Sequence, residues 1–115
     1  MNRFGDEAAI AALIRPDAVH RDVYRDPELF ELEMQRLWHR AWVYVGHSSQ
    51  IPSAGDYYTT EVARQPVILL RGNDGEVRVL MNRCAHKGAK LLSAREGHCP
   101  GVLRCPYHGW TYRLD

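Results

Sequence analysis

A chain of 115 residues, 45% apolar and 25% charged, is at most one domain's worth of ordinary globular sequence. Its net charge of +1 argues against electrostatic attraction to nucleic acid or to an anionic membrane. No apolar stretch approaches membrane-spanning length, and the opening Met1-Asn2-Arg3-Phe4-Gly5-Asp6-Glu7 lacks the apolar core of a signal peptide.

In chain order the texture changes once. Residues 6–42 read as helical and residues 43–115 as short strands with turns, which sets a helical segment at 1–45 and a β domain at 46–115. Ala8 to Ile14 is helix-prone and stops at Arg15-Pro16. Asp26-Pro27-Glu28 signals a helix start, with Asp26 as N-cap and Pro27 at the first helical position. That helix is predicted to run to about Arg40. Phe30, Met34, Leu37, Trp38 and Ala41 recur on one of its faces, and we read this stripe, with Trp42, as core packing.

After Gly46 the signals are β. Tyr57 to Val62 is rich in aromatic and β-branched residues and follows a turn at Pro52-Ser53-Ala54-Gly55-Asp56. Val67 to Leu70 and Glu76 to Met81 flank Gly72-Asn73-Asp74-Gly75, a predicted hairpin. Gly101 to Arg104 and Trp110 to Tyr112 read as strands leading into and out of a loop. The last strand has no following partner, and an unpaired sheet edge is costly. The chain is therefore expected to be truncated at its C-terminus, a fragment of a longer polypeptide prone to self-association at Trp110-Thr111-Tyr112.

Two short motifs carry the chemistry. Cys84-Ala85-His86 is followed, after 18 intervening residues, by Cys105-Pro106-Tyr107-His108. Each supplies one soft thiolate and one imidazole, which is what a [2Fe-2S] centre with two different irons requires, one held by two Cys and the other by two His. Gly88 and Gly109 follow the histidines and give the backbone room to fold over inorganic sulfide. Structural zinc also takes Cys₂His₂ sets, but zinc fingers usually group a Cys pair and then a His pair. Cys99 has no His partner at motif spacing and is read as an unligated thiol. His20, His39, His47 and His98 are scattered and read as ordinary. Three cysteines, one of them odd, fit a reducing cytoplasm better than a disulfide framework.

Arranged as Cys-x-His-Lys-Gly and Cys-Pro-Tyr-His-Gly-Trp, these residues resemble the Rieske iron–sulfur motif. From about Asp22 onward the chain resembles the start of the α (large) subunit of Rieske non-haem iron aromatic-ring-hydroxylating oxygenases. The matching stretches are Tyr24 to Glu33, Trp38-His39-Arg40-Ala41-Trp42, Gly55-Asp56-Tyr57, Gln65-Pro66-Val67, Asn82 to Ala89 and Cys105 to Trp110. The resemblance implies a mainly β fold, an antiparallel Rieske domain behind an N-terminal helical segment. It implies that Cys84 and Cys105 bind one iron, and that His86 and His108 bind the other, with His108 facing a subunit boundary. It implies electrons received from a reductase or ferredoxin and passed to a mononuclear Fe(II), whose ligands lie in a catalytic domain beyond position 115. No catalytic residue is therefore expected within this chain. It further implies a trimer or an α–β assembly, and O₂ activation for arene hydroxylation.

Two departures stand out: Lys87 where Arg is more usual, and an interval between the loops about one residue longer than usual, absorbed near Pro100-Gly101. High-potential Rieske proteins carry an extra Cys in each loop and a Ser after His-Gly. Ala89, Tyr107 and Trp110 stand at those positions here, which implies a low potential. A free-standing Rieske ferredoxin and a zinc-stabilised interaction module are the other readings; the first leaves the helical prefix without a purpose.

Overall fold

In the computed structural model, which describes residues 3–115, the chain divides into two units, Met1–Trp42 and Val43–Asp115. In the first, α1 (Glu7–Ala11) starts at Asp6, whose carboxylate accepts the Ala8 N–H at 3.1 Å. It ends at Ala11 rather than Ile14. Ile14 belongs instead to β1 (Ile14–Arg15), which pairs antiparallel with β2 (Ala18–Val19) across Pro16-Asp17. The residue before a proline resists the helical conformation, and the chain turns back there.

A single turn, α2 (Asp22–Arg25), precedes the predicted capped helix, α3 (Pro27–Glu33). Asp26 Oδ1 accepts the N–H groups of Glu28 and Leu29 at 2.9 and 3.3 Å. The Arg3 guanidinium reaches Asp22 at 2.6 Å and Asp26 at 3.0 Å, so Arg3 is tied to both helix starts.

The helix continues to Trp38, but Met34–Trp38 is π-helical, with the His39 N–H on the Met34 carbonyl at 3.1 Å. Its wider turn breaks the 3.6-residue period on which the predicted stripe depended. Leu29 and Met34 are buried, whereas Phe30, Leu37 and Trp38 are 40% to 48% exposed and Trp42 lies fully exposed. The core reading of that stripe and of Trp42 is thus corrected.

The second unit is mainly antiparallel β. Its larger sheet has the order β5-β4-β3-β6, built from β3 (Asp56–Val62), β4 (Gln65–Arg71), β5 (Val77–Met81) and β6 (Glu96–His98). The run Val67-Ile68-Leu69-Leu70 is buried on both faces, as suits the unbroken apolar stretch of a central strand. Ile68 and Leu70 pack with Tyr57, Leu91, Leu103 and Leu114 into the core that backs Cys84 and Cys105. The predicted β4–β5 hairpin forms, and Arg78 clamps Asp74 at 2.8 and 2.6 Å, which draws the Asp74 carboxyl down to about 2.

β7 (Val102–Arg104) and β8 (Thr111–Arg113) make a separate hairpin, so the strand expected to be unpaired has a partner. Only the second Cys/His loop, between β7 and β8, sits at a hairpin tip. The first, residues 82–95, leaves β5 at one edge of the sheet and crosses to β6 at the other.

The β3–β4 turn places Ala63 and Arg64 at φ 48° and 63°, between the paired Val62 and Gln65. Two successive left-handed residues make the type I′ hairpin that favours Asn-Gly. Replacing Ala63-Arg64 by Asn-Gly is expected to stabilise the fold by about 1 kcal/mol, since left-handed geometry costs L-residues about that much. An unchanged or lower urea midpoint would contradict the turn assignment.

Candidate metal centre

The first loop is pinned from behind by one buried polar side chain. Asn82 accepts the N–H groups of Leu91 and Leu92 at 3.0 and 2.9 Å through Oδ1, and its Nδ2 donates to the Leu92 carbonyl at 2.7 Å. Its own N–H donates to the Pro66 carbonyl at 2.8 Å, on the central strand. A buried amide bonded through both its oxygen and its nitrogen fixes the loop's base against the sheet.

From that base the two loops adopt the same hydrogen-bonded frame. The Cys84 N–H donates to the Ala89 carbonyl at 2.7 Å, and the Gly88 N–H to the Cys84 carbonyl at 2.9 Å. In the second loop the Cys105 N–H donates to the Trp110 carbonyl at 2.7 Å, and the Gly109 N–H to the Cys105 carbonyl at 3.1 Å. Gly88 and Gly109 take φ values of +73° and +77°, which is why glycine follows each histidine. The frames match although the histidine sits two positions after the cysteine in one loop and three in the other.

Depth separates the donors. Cys84 and Cys105 are each 2% exposed, while His86 and His108 lie at the surface. The two imidazoles meet edge-on with centroids 4.7 Å apart. Trp110 stacks on His86 at 4.8 Å and 6°, and Tyr107 tilts against His108 at 3.8 Å. The structure thus brings all four sequence-predicted residues to one tip, thiols inward and rings outward. Among the described residues no three His, Cys, Asp or Glu side chains converge on a single point. The donors instead come in pairs.

The Cys84 thiol is prepared for negative charge. The Tyr112 hydroxyl, 3.0 Å from Cys84 Sγ, holds that thiol below its ordinary value, with help from the backbone N–H groups of His86 and Lys87 and from Cys105, against the opposing effect of burial. Tyr112 also accepts the Ala85 N–H at 3.0 Å. The same contact with Cys84 pushes its own ionisation up. Neither Asn82 nor Tyr112 was singled out from the sequence for these roles. The one available signal for Tyr112 was an aromatic hydroxyl on the short strand leaving the second loop.

The remaining candidates are placed elsewhere. Cys99 is buried, its N–H donates to the Gly55 carbonyl at 2.8 Å, and burial pushes its thiol up. His47 caps a short 3₁₀ turn (Ser48–Gln50), accepting the Ser49 N–H at 3.2 Å. His98 meets Asp56 at 3.0 Å across the β3–β6 pairing, and His20 accepts the Asp22 N–H at 3.2 Å.

A family model described as the Rieske [2Fe-2S] domain matches residues 41–115. The chain is 44% identical over 92 residues to toluate 1,2-dioxygenase subunit alpha of Pseudomonas putida, a match covering 80% of this chain and 20% of that protein. Among solved structures it resembles naphthalene 1,2-dioxygenase from Rhodococcus sp. bound to indole, with TM-score 0.75 and 38% identity over 79% of this chain and 20% of that one. It is also similar to the quaternary ammonium Rieske monooxygenase CntA, with TM-score 0.76 and 35% identity over 82% of this chain and 26% of that one. The chain spans about a fifth of the length of the curated relatives it matches.

Proposed function

The chain belongs to the Rieske [2Fe-2S] domain family, and from that premise we propose that Cys84 and Cys105 hold one iron of the cluster and His86 and His108 the other. The observation that carries this reading is the pair of matching loop frames, each contributing one buried thiol and one surface imidazole. Paired donors suit a two-iron centre in which one iron would be held by two Cys and the other by two His. When bound, such a cluster stores and releases one electron.

The chain's own residues then have separable roles. Tyr112 and the His86 and Lys87 amides direct donors at Cys84 Sγ and stabilise the charge gained on reduction. Asn82 keeps the first loop in register, and the exposed imidazoles form the edge through which electrons pass. We assign residues 46–115 to this domain and 1–45 to a helical segment preceding it.

In the whole protein, the domain would take electrons from a reductase or ferredoxin and pass them toward a mononuclear Fe(II) in a catalytic domain. That site activates O₂ for arene hydroxylation, in a trimer or an α–β assembly. The likeness to toluate and naphthalene dioxygenases supports an arene. The comparable likeness to CntA supports oxidation of a quaternary ammonium compound as the second reading. Among the described residues no helix is long and apolar enough to cross a membrane. The cysteines are all unpaired, which supports a reducing cytoplasm.

Anaerobically reconstituted protein is expected to hold two irons and two sulfides and to give a rhombic EPR signal on reduction. With Ala89, Tyr107 and Trp110 where high-potential relatives have two Cys and a Ser, its midpoint is expected near about −150 mV, the low end for Rieske centres. Stoichiometric zinc without sulfide in protein from its native host would sink the cluster. A strongly positive midpoint would sink the low-potential assignment.

A further inference from the structure

Within the first loop the two candidate ligands are held by different means. The Tyr112 hydroxyl lies 3.0 Å from Cys84 Sγ, whereas among the described residues neither ring nitrogen of His86 has a hydrogen-bond partner. A metal-binding imidazole almost always donates its other ring N–H to a carboxylate, carbonyl or water, and that bond fixes the plane of the ring. On His86 the task falls to other rings. The Trp110 indole lies parallel to the imidazole, at 4.8 Å and 6°, and His108 meets it edge-on at 4.7 Å and 70°. A parallel ring covers a face, so turning the imidazole about its Cβ–Cγ bond drives its edge into the indole. An edge contact leaves that rotation freer.

Trp110 is the anchored member of the stack. Its carbonyl accepts the Cys105 N–H at 2.7 Å, so its backbone closes the second loop while its side chain reaches the first. Two positions on, the Tyr112 hydroxyl also reaches the first loop, at Cys84 Sγ and at the Ala85 N–H, both at 3.0 Å. Side chains two apart on an extended chain share a side. This pair spans both candidate ligands of the opposite loop, and indole, with only two side-chain torsions to fix, is a stiff support.

Building on the cluster reading above, we infer that Trp110 is a positioning residue for His86: the second loop orients the imidazole that the first presents to the cluster. Losing the stack should free that ring and leave the loops standing, because their frames are closed by backbone hydrogen bonds. Trp110 is 48% exposed, so removing its indole opens no buried core. The expected consequence is therefore local to His86.

The test compares Trp110→Leu with Trp110→Phe, which keeps a ring able to stack, in cluster-loaded protein labelled with ¹⁵N-histidine. Pulsed EPR of the reduced parent is expected to show a nitrogen coupling from each histidine. Trp110→Leu should alter one coupling and leave the other, and Trp110→Phe should restore the parent pattern. Iron loss to a chelator should be about three- to tenfold faster in the leucine variant, the upper part of what an aromatic stack is worth, and near the parent rate in the phenylalanine variant. A loaded leucine variant with both couplings unchanged overturns the positioning role, whatever its stability to urea. If Trp110→Leu holds no cluster, the phenylalanine variant decides: loading with the parent couplings sustains the role, and failure to load overturns it. Parent protein without iron and sulfide, or without histidine couplings, overturns the cluster reading and this inference with it.

Discussion

Replacing His108 with Cys is expected to lower the midpoint potential by about 250 mV, from about −150 mV toward the roughly −400 mV of all-thiolate plant-type centres. Imidazole is neutral and thiolate anionic, so the substitution adds one negative charge to the cluster and disfavours the added electron. His108 lies at the surface, on a loop whose frame is closed by the Cys105 and Gly109 amides rather than by the imidazole. The frame should therefore survive the change. Spectroelectrochemistry on iron- and sulfide-loaded protein measures the shift. A loaded variant with an unchanged potential would remove His108 from the ligand set.

Asn82→Leu is expected to destabilise the protein by about 3 kcal/mol or more. It strands the Leu91 and Leu92 N–H groups and the Leu92 carbonyl, and a buried polar group left unpaired costs about 1–3 kcal/mol. Leucine has the same branched skeleton and is somewhat larger, so a cavity does not explain the loss. The loop that Asn82 secures carries Cys84 and His86, so iron should also leave faster under a chelator, by about tenfold for each 1.4 kcal/mol of loop stability lost. Urea unfolding and chelator challenge measure the two effects. A variant that matches the parent in both would show that the loop is held by something else.

These two residues mark how far the sequence could be read. The four candidate ligands stood out because residue type, spacing and flanking glycine all point one way within a few positions. The start of α3 was equally plain, since Asp26-Pro27 is a local cap that acts through its own neighbouring amides. Asn82 bonds to residues 9 and 10 positions away, and Tyr112 reaches back 28 positions to Cys84. Such roles exist only once the chain is folded. The stripe from Phe30 to Ala41 misled for a related reason. The π-turn at Met34–Trp38 alters the angle between successive side chains, and nothing in the residue types announces it. β6 was missed because Glu96-Gly97-His98 has no strand-forming residue; its place comes from pairing with β3.

The crossing of residues 82–95 from one sheet edge to the other sets an order of assembly. β3, β4 and β5 join through short turns, so their ladder forms between neighbours in sequence. β6 docks only after a longer loop has closed, and closure entropy must be met before its few pairings compensate. It is therefore expected to join this sheet after β3, β4 and β5 and to fray before them. Because the proposed ligands Cys84 and His86 ride on that loop, a cluster held there would shorten the segment still free to fluctuate. Cofactor insertion then acts as a late folding step, and slow amide exchange at β6 becomes a mark of the loaded protein.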